Sequence, residues 1–400
     1  MPAARRRLPT ASPAEDRVIP LGHGLAAIPE RLLLSHARGE VLFVAGAGVS
    51  MPSLPDFRGL VLNVYRRLDG PMFNELNALA ANATWPVPLP LNDEQKAEAR
   101  RFISADYDVV LGMLERRMDR QGSGSQVRQA VADEIAAVTT PTPIHSTLVK
   151  LARRQICSAI ITTNFDLLFQ EAAKRRKSVI PTFALGAIAR PSRDDLHGVL
   201  HIHGALGKPG PASEFILSDR DFGEHYFRRR SIPDFIYDAA RLFNLVLVGY
   251  SANDPPMRYL LNAVAADSSR FDDLKERFTF VGGAAPDPVA TEDWRARGIT
   301  PVHYDVVGGN HSVLNSSLAR WAELSVHNGP PHLVDREIKR IVRGSRASVV
   351  DRDRDLFDHL YRRAGLQERL RMAALIPKAS YDWLDAMMEI ALEDGPGVIA

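Results

Sequence analysis

Four short motifs place polar side chains at the ends of apolar runs, in the residue types that handle phosphates, hydroxyls and protons. The first is Gly46-Ala47-Gly48-Val49-Ser50, directly after the apolar run Val41–Ala45. A glycine pair at a strand-to-helix turn lets the backbone come close to a diphosphate. The helix N-terminus that follows supplies N–H groups and a partial positive charge. The same spacing also serves as a plain connection. The usual third glycine is missing, and no acidic residue stands at a clear second-strand end about 20 residues on, which disfavours an ordinary dehydrogenase. Pro55-Asp56-Phe57-Arg58 follows. Its acid, aromatic and guanidinium could cover a ribose and its leaving base, or form a surface loop with a local Asp–Arg pair.

The second motif is Ile160-Ile161-Thr162-Thr163-Asn164-Phe165-Asp166. An apolar strand here delivers polar groups at its carboxyl end, where doubly wound sheets bind ligands. Asn164 offers both a donor and an acceptor for a water or a ribose hydroxyl. Asp166 could equally cap the helix expected over Leu167–Lys174. The third motif is Val199-Leu200-His201-Ile202-His203-Gly204. Alternation along a strand puts His201 and His203 on one face, so periodicity cannot choose between them. His203, at the strand end before a glycine, is the better placed to face a pocket. The fourth motif, Leu245–Val248 followed by Gly249-Tyr250-Ser251, is another buried strand ending in small polar groups.

These motifs need elements to hold them. Short apolar runs at 41–45, 158–162, 179–183, 199–202, 245–248, 278–281 and 300–304 alternate with helical stretches, notably at 231–243, 256–266 and 312–323. That pattern predicts an α/β fold: a doubly wound, mostly parallel Rossmann-like sheet. The block over about 60–138 reads as a helical insertion above the strands' carboxyl ends. Helical spacing also runs from Leu25 to Arg38, and beyond Pro331 at 333–342, 353–376 and 381–393. The expected organisation is a disordered arm over 1–20, a catalytic domain over 21–328 and a helical C-terminal segment over 329–400, a candidate interaction region.

Bulk properties narrow the class further. The chain has 400 residues, 45% hydrophobic and 24% charged, with a formal net charge of +2. Such a balance gives no global field for nucleic acid or an anionic membrane, so direct nucleic-acid binding is not expected. No apolar run of about 18 residues offers a membrane span, no secretory signal is evident, and a cytoplasmic location is expected. Cys157 is the single cysteine. It reads as a small buried hydrophobe and cannot build a multi-cysteine zinc site, so no metal is expected.

Taken in order, the four motifs resemble the sirtuin family, especially its bacterial NAD-hydrolysing branch found in anti-phage defence. Gly46-Ala47-Gly48-Val49-Ser50 with Pro55-Asp56-Phe57-Arg58 is similar to the family's cofactor loop. Thr163-Asn164-Phe165-Asp166 resembles its Gln-Asn-x-Asp element, with threonine in place of glutamine. His203-Gly204 resembles the catalytic His-Gly, and Gly249-Tyr250-Ser251 the Gly-x-Ser that contacts adenosine. The resemblance spans roughly residues 40–305. It implies NAD as substrate, cleaved to nicotinamide and ADP-ribose or a cyclic form, with Asn164 and His203 catalytic. Asn164 would position ribose and water, and His203 would accept a proton. Gly46, Ala47, Gly48, Val49 and Ser50 would hold the diphosphate, with Asp56, Phe57 and Arg58 around the nicotinamide. Thr163, Asp166, Gly249 and Ser251 would complete the cofactor contacts. The family's deacylases carry a four-cysteine zinc module that this chain lacks, which favours hydrolysis of NAD itself. The alternatives are a zinc-free NAD-dependent deacylase or ADP-ribosyltransferase, and a non-catalytic module that binds NAD or ADP-ribose. The resemblance further implies a homo-oligomer and an activating protein partner.

Overall fold

Runs of consecutive apolar residues make poor surface strands but good interior ones, since a parallel strand is covered on both faces. A computed structural model of the chain bears this out. It describes residues 17–82, 91–119, 124–154, 157–185, 188, 190–192, 196–207, 215–250, 261, 264, 274–377 and 380–393. The strands are β1 Val18–Pro20, β2 Ala27–Pro29, β3 Val41–Ala45, β4 Arg153–Arg154, β5 Cys157–Thr162, β6 Thr182–Ala184, β7 Gly198–His201, β8 Asn244–Val248, β9 Arg277–Gly283 and β10 Thr300–Asp305. All residues of β3, β7 and β8 are buried.

Seven of the strands form one all-parallel sheet in the order β10-β9-β8-β3-β5-β7-β6, and β4 adds a short antiparallel pair to β5. With helices flanking the sheet, the architecture is the expected Rossmann-like one. From β3 the chain first builds one wing, through β5 and β7, and then returns to β3's other side with β8. The order therefore reverses at β3, and the crevice outside its carboxyl end is where such sheets take ligands. Register aligns the ends: Ala45 lies opposite Thr162 and Val248, and Thr162 opposite His201.

Contacts divide the chain into two units, residues 40–281 with 285–301, and residues 1–39 with 282–284 and 302–400. In the first, five helices over Phe57–Leu68, Gly70–Asn82, Asp93–Ile103, Tyr107–Met118 and Gln126–Ala136 make the expected insertion. They share an apolar core that includes Val61, Val64, Leu76, Phe102, Leu111, Leu114 and Val131. Within that core Tyr65 donates to Glu98 at 2.8 Å, and Arg117 contacts Glu98 at 2.8 Å and Asp69 at 2.9 Å.

In the second unit, β1 and β2 pair antiparallel, and Glu30–Ala37 follows as a helix. This corrects two expectations. Residues 1–16 of the expected arm lie outside the described residues, but Val18–Pro20 is a strand. The helix foreseen from Leu25 starts only at Glu30, because Ala27–Pro29 pairs with β1 and Pro29 ends the strand. Five further helices occupy Ser312–Leu324, Pro331–Ile341, Asp351–Arg362, Leu366–Ala374 and Tyr381–Glu393. The single helix expected over 353–376 is two, parted at Arg363–Gly365. Gly365 is extended at φ −72° and ψ 170° and serves as the second helix's N-cap. Trp383 and Phe357 pack with ring centroids 4.5 Å apart.

Candidate active site

The glycine turn is stitched to the end of β8. Gly46 N–H donates to Val248 O at 3.0 Å, and Gly48 N–H to Gly249 O at 2.8 Å. A Cβ on Gly46 would fall 2.7 Å from Gly249 O, and one on Gly48 2.9 Å from Gly249 Cα. Gly249 itself has φ +63°, and its Cβ would meet Val49 N at 2.5 Å. Close approach of two strand ends therefore demands all three glycines. Val49 and Ser50 donate back to Gly46 O and Ala47 O. A three-residue 3-10 turn, Ala47–Val49, follows β3, and the next α-helix opens only at Phe57. The donors expected to be free at positions 46 and 48–50 are thus engaged within the fold.

Below this turn lies a buried polar cluster. Ser50, 1% exposed, donates from Oγ to Asp166 Oδ2 at 2.8 Å. Asn164 donates from Nδ2 to Ser50 Oγ at 3.1 Å and to Gly46 O at 3.2 Å. A carbonyl oxygen only accepts, so the amide's orientation is settled: both Nδ2 hydrogens are engaged, and Oδ1 is the group left to meet a ligand. The Asn164 N–H donates to Thr162 Oγ1, and Thr162 Oγ1 donates to Ala45 O. Thr163 N–H donates to Ala45 O at 3.2 Å. Asp166 Oδ1 accepts the Leu168 N–H at 3.0 Å, and burial pushes the Asp166 carboxyl up against these hydrogen bonds.

His145 joins this cluster and was not foreseen. Thr142 N–H donates to His145 Nδ1 at 3.1 Å. Nδ1 is therefore the acceptor and Nε2 carries the proton, 3.3 Å from Ser50 Oγ and 4.0 Å from Asp166 Oδ1. Burial pushes its pKa down to about 4, so it is neutral at pH 7. Thr142-Pro143-Ile144-His145 carries a helix-start signature, yet nothing in that spacing tells that the imidazole turns inward.

The two later histidines part company. His201 is fully buried; its Nδ1–H donates to Asn164 O at 2.8 Å, and Gln170 Nε2 donates to its Nε2 at 2.9 Å. It supports the Asn164 backbone, and burial holds its pKa at about 4. His203 lies beyond the end of β7, 5% exposed, and shares a 2.7 Å hydrogen bond from Nε2 with the Tyr226 hydroxyl. Phe222 and Tyr226 flank its ring edge to face, and burial pushes its pKa down to about 3. Tyr226 comes from the π-helical turn Gly223–Arg228, a geometry frequent at functional sites. No sequence motif marked it.

The structure thus gathers Gly46, Ser50, Asn164 and Asp166 with His145, and sets Gly249 against the turn. Asp56 is placed as the N-cap of the helix Phe57–Leu68, accepting the Gly59 N–H at 2.8 Å. Phe57 meets Tyr107 edge to face at 5.9 Å, and the Arg58 guanidinium lies 5.8 Å from the Phe102 ring. These three residues engage the helical insertion. Ser251 lies outside the described residues, as does most of the helix expected over 256–266 and the side chain of Cys157. Among the described residues no group of three or more His, Cys, Asp or Glu is placed to hold a metal ion. No described helix is long and apolar enough to cross a membrane.

A parallel sheet whose order reverses beside a glycine turn and a fixed asparagine defines a Rossmann-like class of α/β protein. Comparison with known proteins narrows this. Residues 158–302 match the family model described as SIR2-like domain, which supports a sirtuin-like family. That span holds the second, third and fourth motifs; the glycine turn precedes it. The chain is also 34% identical over 357 residues to the uncharacterized protein y4cA of Sinorhizobium fredii. The match covers 84% of this chain and 28% of that protein's length.

Proposed function

We propose that the chain hydrolyses NAD to nicotinamide and ADP-ribose. The observation that carries this reading is Asn164: at the carboxyl end of β5, it has both amide hydrogens engaged and its Oδ1 left as an acceptor for a ribose hydroxyl or a water. The crevice beside it suits a nucleotide, and the SIR2-like match supports NAD as the one used.

In the proposed reaction the bond between nicotinamide nitrogen and ribose C1′ breaks, and its electron pair leaves with nicotinamide. The leaving group is already cationic, so it needs no protonation. The ribose passes through an oxocarbenium-like state, as in glycoside hydrolysis. Water adds at C1′ and its proton goes to His203. With Nε2 held by Tyr226 and a pKa near 3, His203 is a poor base. Its use therefore requires two changes when substrate enters: the Tyr226 contact must release Nε2, and the burial that lowers the imidazole's pKa must be relieved. The turn at Gly46–Ser50 lies against the diphosphate, and Asp56, Phe57 and Arg58 close the nicotinamide side. Thr163, Asp166 and Gly249 complete the pocket.

The resemblance also supports a role as an abortive-infection effector in anti-phage defence, switched on by assembly into a homo-oligomer or by a protein partner. Exposed apolar side chains at Leu366, Leu370, Tyr381, Met388 and Leu392 support an assembly surface in the C-terminal segment. Incubating purified protein with NAD, alone and with an acylated peptide, tests the reaction. Nicotinamide release without peptide, lost in Asn164→Ala and His203→Ala, is the expected outcome. Equal turnover in wild type and both variants, or dependence on the peptide, would overturn it.

A further inference from the structure

Arg363, just beyond the helix Asp351–Arg362, is a buried cation with too few partners. Its side chain is 3% exposed, and its one carboxylate contact among the described residues is Nη2 to Glu368 Oε1 at 3.3 Å. Arg371 shares that same carboxylate at 3.7 Å. The Nε and Nη1 atoms of Arg363 are buried and meet no acceptor among the described residues. A guanidinium does not shed its proton at any physiological pH, so it cannot escape burial by neutralising. Buried charge of this kind calls for a counter-charge or hydrogen-bond acceptors.

Arg363 borders a cavity of about 10 Å³. That is room for about one water-sized particle. Its wall also includes His36, His359, Ser325, Leu33 and Trp321, and no carboxylate. The nearby acid, Glu30, is already taken by His359 Nδ1 at 3.3 Å and Arg362 Nη1 at 2.5 Å. We infer that this cavity is a binding site for a single monatomic anion of chloride size, held by the Nε–H and Nη1–H groups of Arg363. Phosphate and other polyatomic anions exceed the volume. A water would supply a dipole where a full charge needs an opposite one, and the Leu33 and Trp321 walls suit a weakly hydrated halide. The anion would complete the junction between the helix Glu30–Ala37 and the C-terminal helices of the same unit, independently of any NAD chemistry.

The test is thermal melting of the full chain as potassium chloride replaces potassium gluconate at constant ionic strength. Wild type should gain about 3 °C or more in a saturable rise, and Arg363→Met should show no response. In parallel, crystals grown in bromide should give an anomalous peak within hydrogen-bond distance of Arg363. A flat wild-type titration, a rise retained in Arg363→Met, or no bromide peak at Arg363 would each overturn the site. Should the variant fail to fold, the bromide measurement on wild type decides alone.

Discussion

Asn164 is fixed through both side chain and backbone, by Ser50 and Gly46 at the side-chain amide nitrogen and by His201 at the backbone carbonyl. Asn164→Asp keeps the shape but removes both donors and sets a second carboxylate near Asp166. Nicotinamide release should fall at least about 100-fold while circular dichroism stays native; unchanged turnover would remove Asn164 from the mechanism. A second prediction concerns protons. His145, His201 and His203 have pKa values of about 4, 4 and 3 in the fold, against an ordinary 6.5. The unfolded chain therefore binds more protons below pH 6.5, so stability is full above that pH and drains away as pH falls toward 4. The slope is at most about 4 kcal/mol per pH unit for three groups. Asp166, shifted upward, takes a proton earlier in the fold and offsets part of the loss at the acid end. Urea midpoints at pH 7, 6 and 5 should decline, and His145→Gln should flatten the curve; a midpoint constant over this range would contradict the burial of these rings. The sequence carried Asn164 to a strand end but could not separate His201 from His203. Alternation applies only inside a strand, and β7 stops at His201, with Gly204 turning the chain at φ +97°.

The runs that became β3, β5, β7 and β8 were readable because burial on both faces leaves an unbroken apolar string. Strand order was not, since the pairing of β3 with β8 joins residues about two hundred apart and no local pattern encodes it. The helical insertion was legible as a block, with its individual caps, such as Asn92 with Gln95, left unspecified. The ion cluster that binds its helices was not read at all, because Tyr65, Glu98 and Arg117 are polar residues on three separate helices and Asp69 is the C-cap of the first. Glu98 is fully buried, so Glu98→Ala leaves the Arg117 guanidinium with Asp69 alone and should cost about 3–5 kcal/mol. Denaturant unfolding measures this; a cost below about 1 kcal/mol would mean that water reaches Arg117 freely.

Over the whole chain, residues from its two ends share one unit. Glu30 meets His359 and Arg362, and Ser317 Oγ accepts the Ala26 N–H at 2.9 Å. Glu30→Ala should therefore destabilise that unit by about 3 kcal/mol or more, as loss of one partner leaves Arg362 and His359 underpaired. The expected signature is an early melting phase together with faster proteolysis in the helices beyond Pro331. A melting profile identical to wild type would show that the two ends do not depend on each other. This long-range closure had no sequence signal, because a glutamate at the start of a helix looks the same whether it faces water or a distant histidine.

The three glycines at 46, 48 and 249 have a consequence for how this chain can drift. Each is required by backbone pressing on backbone, and no amino acid is smaller than glycine. A change at one of them therefore has no compensating change at another. In a library randomised jointly at these positions and selected only for soluble expression, glycine should return at all three, even with Asn164 and His203 already replaced. A descendant that had lost all use for a nucleotide would still carry Gly-Ala-Gly as a fossil of its architecture.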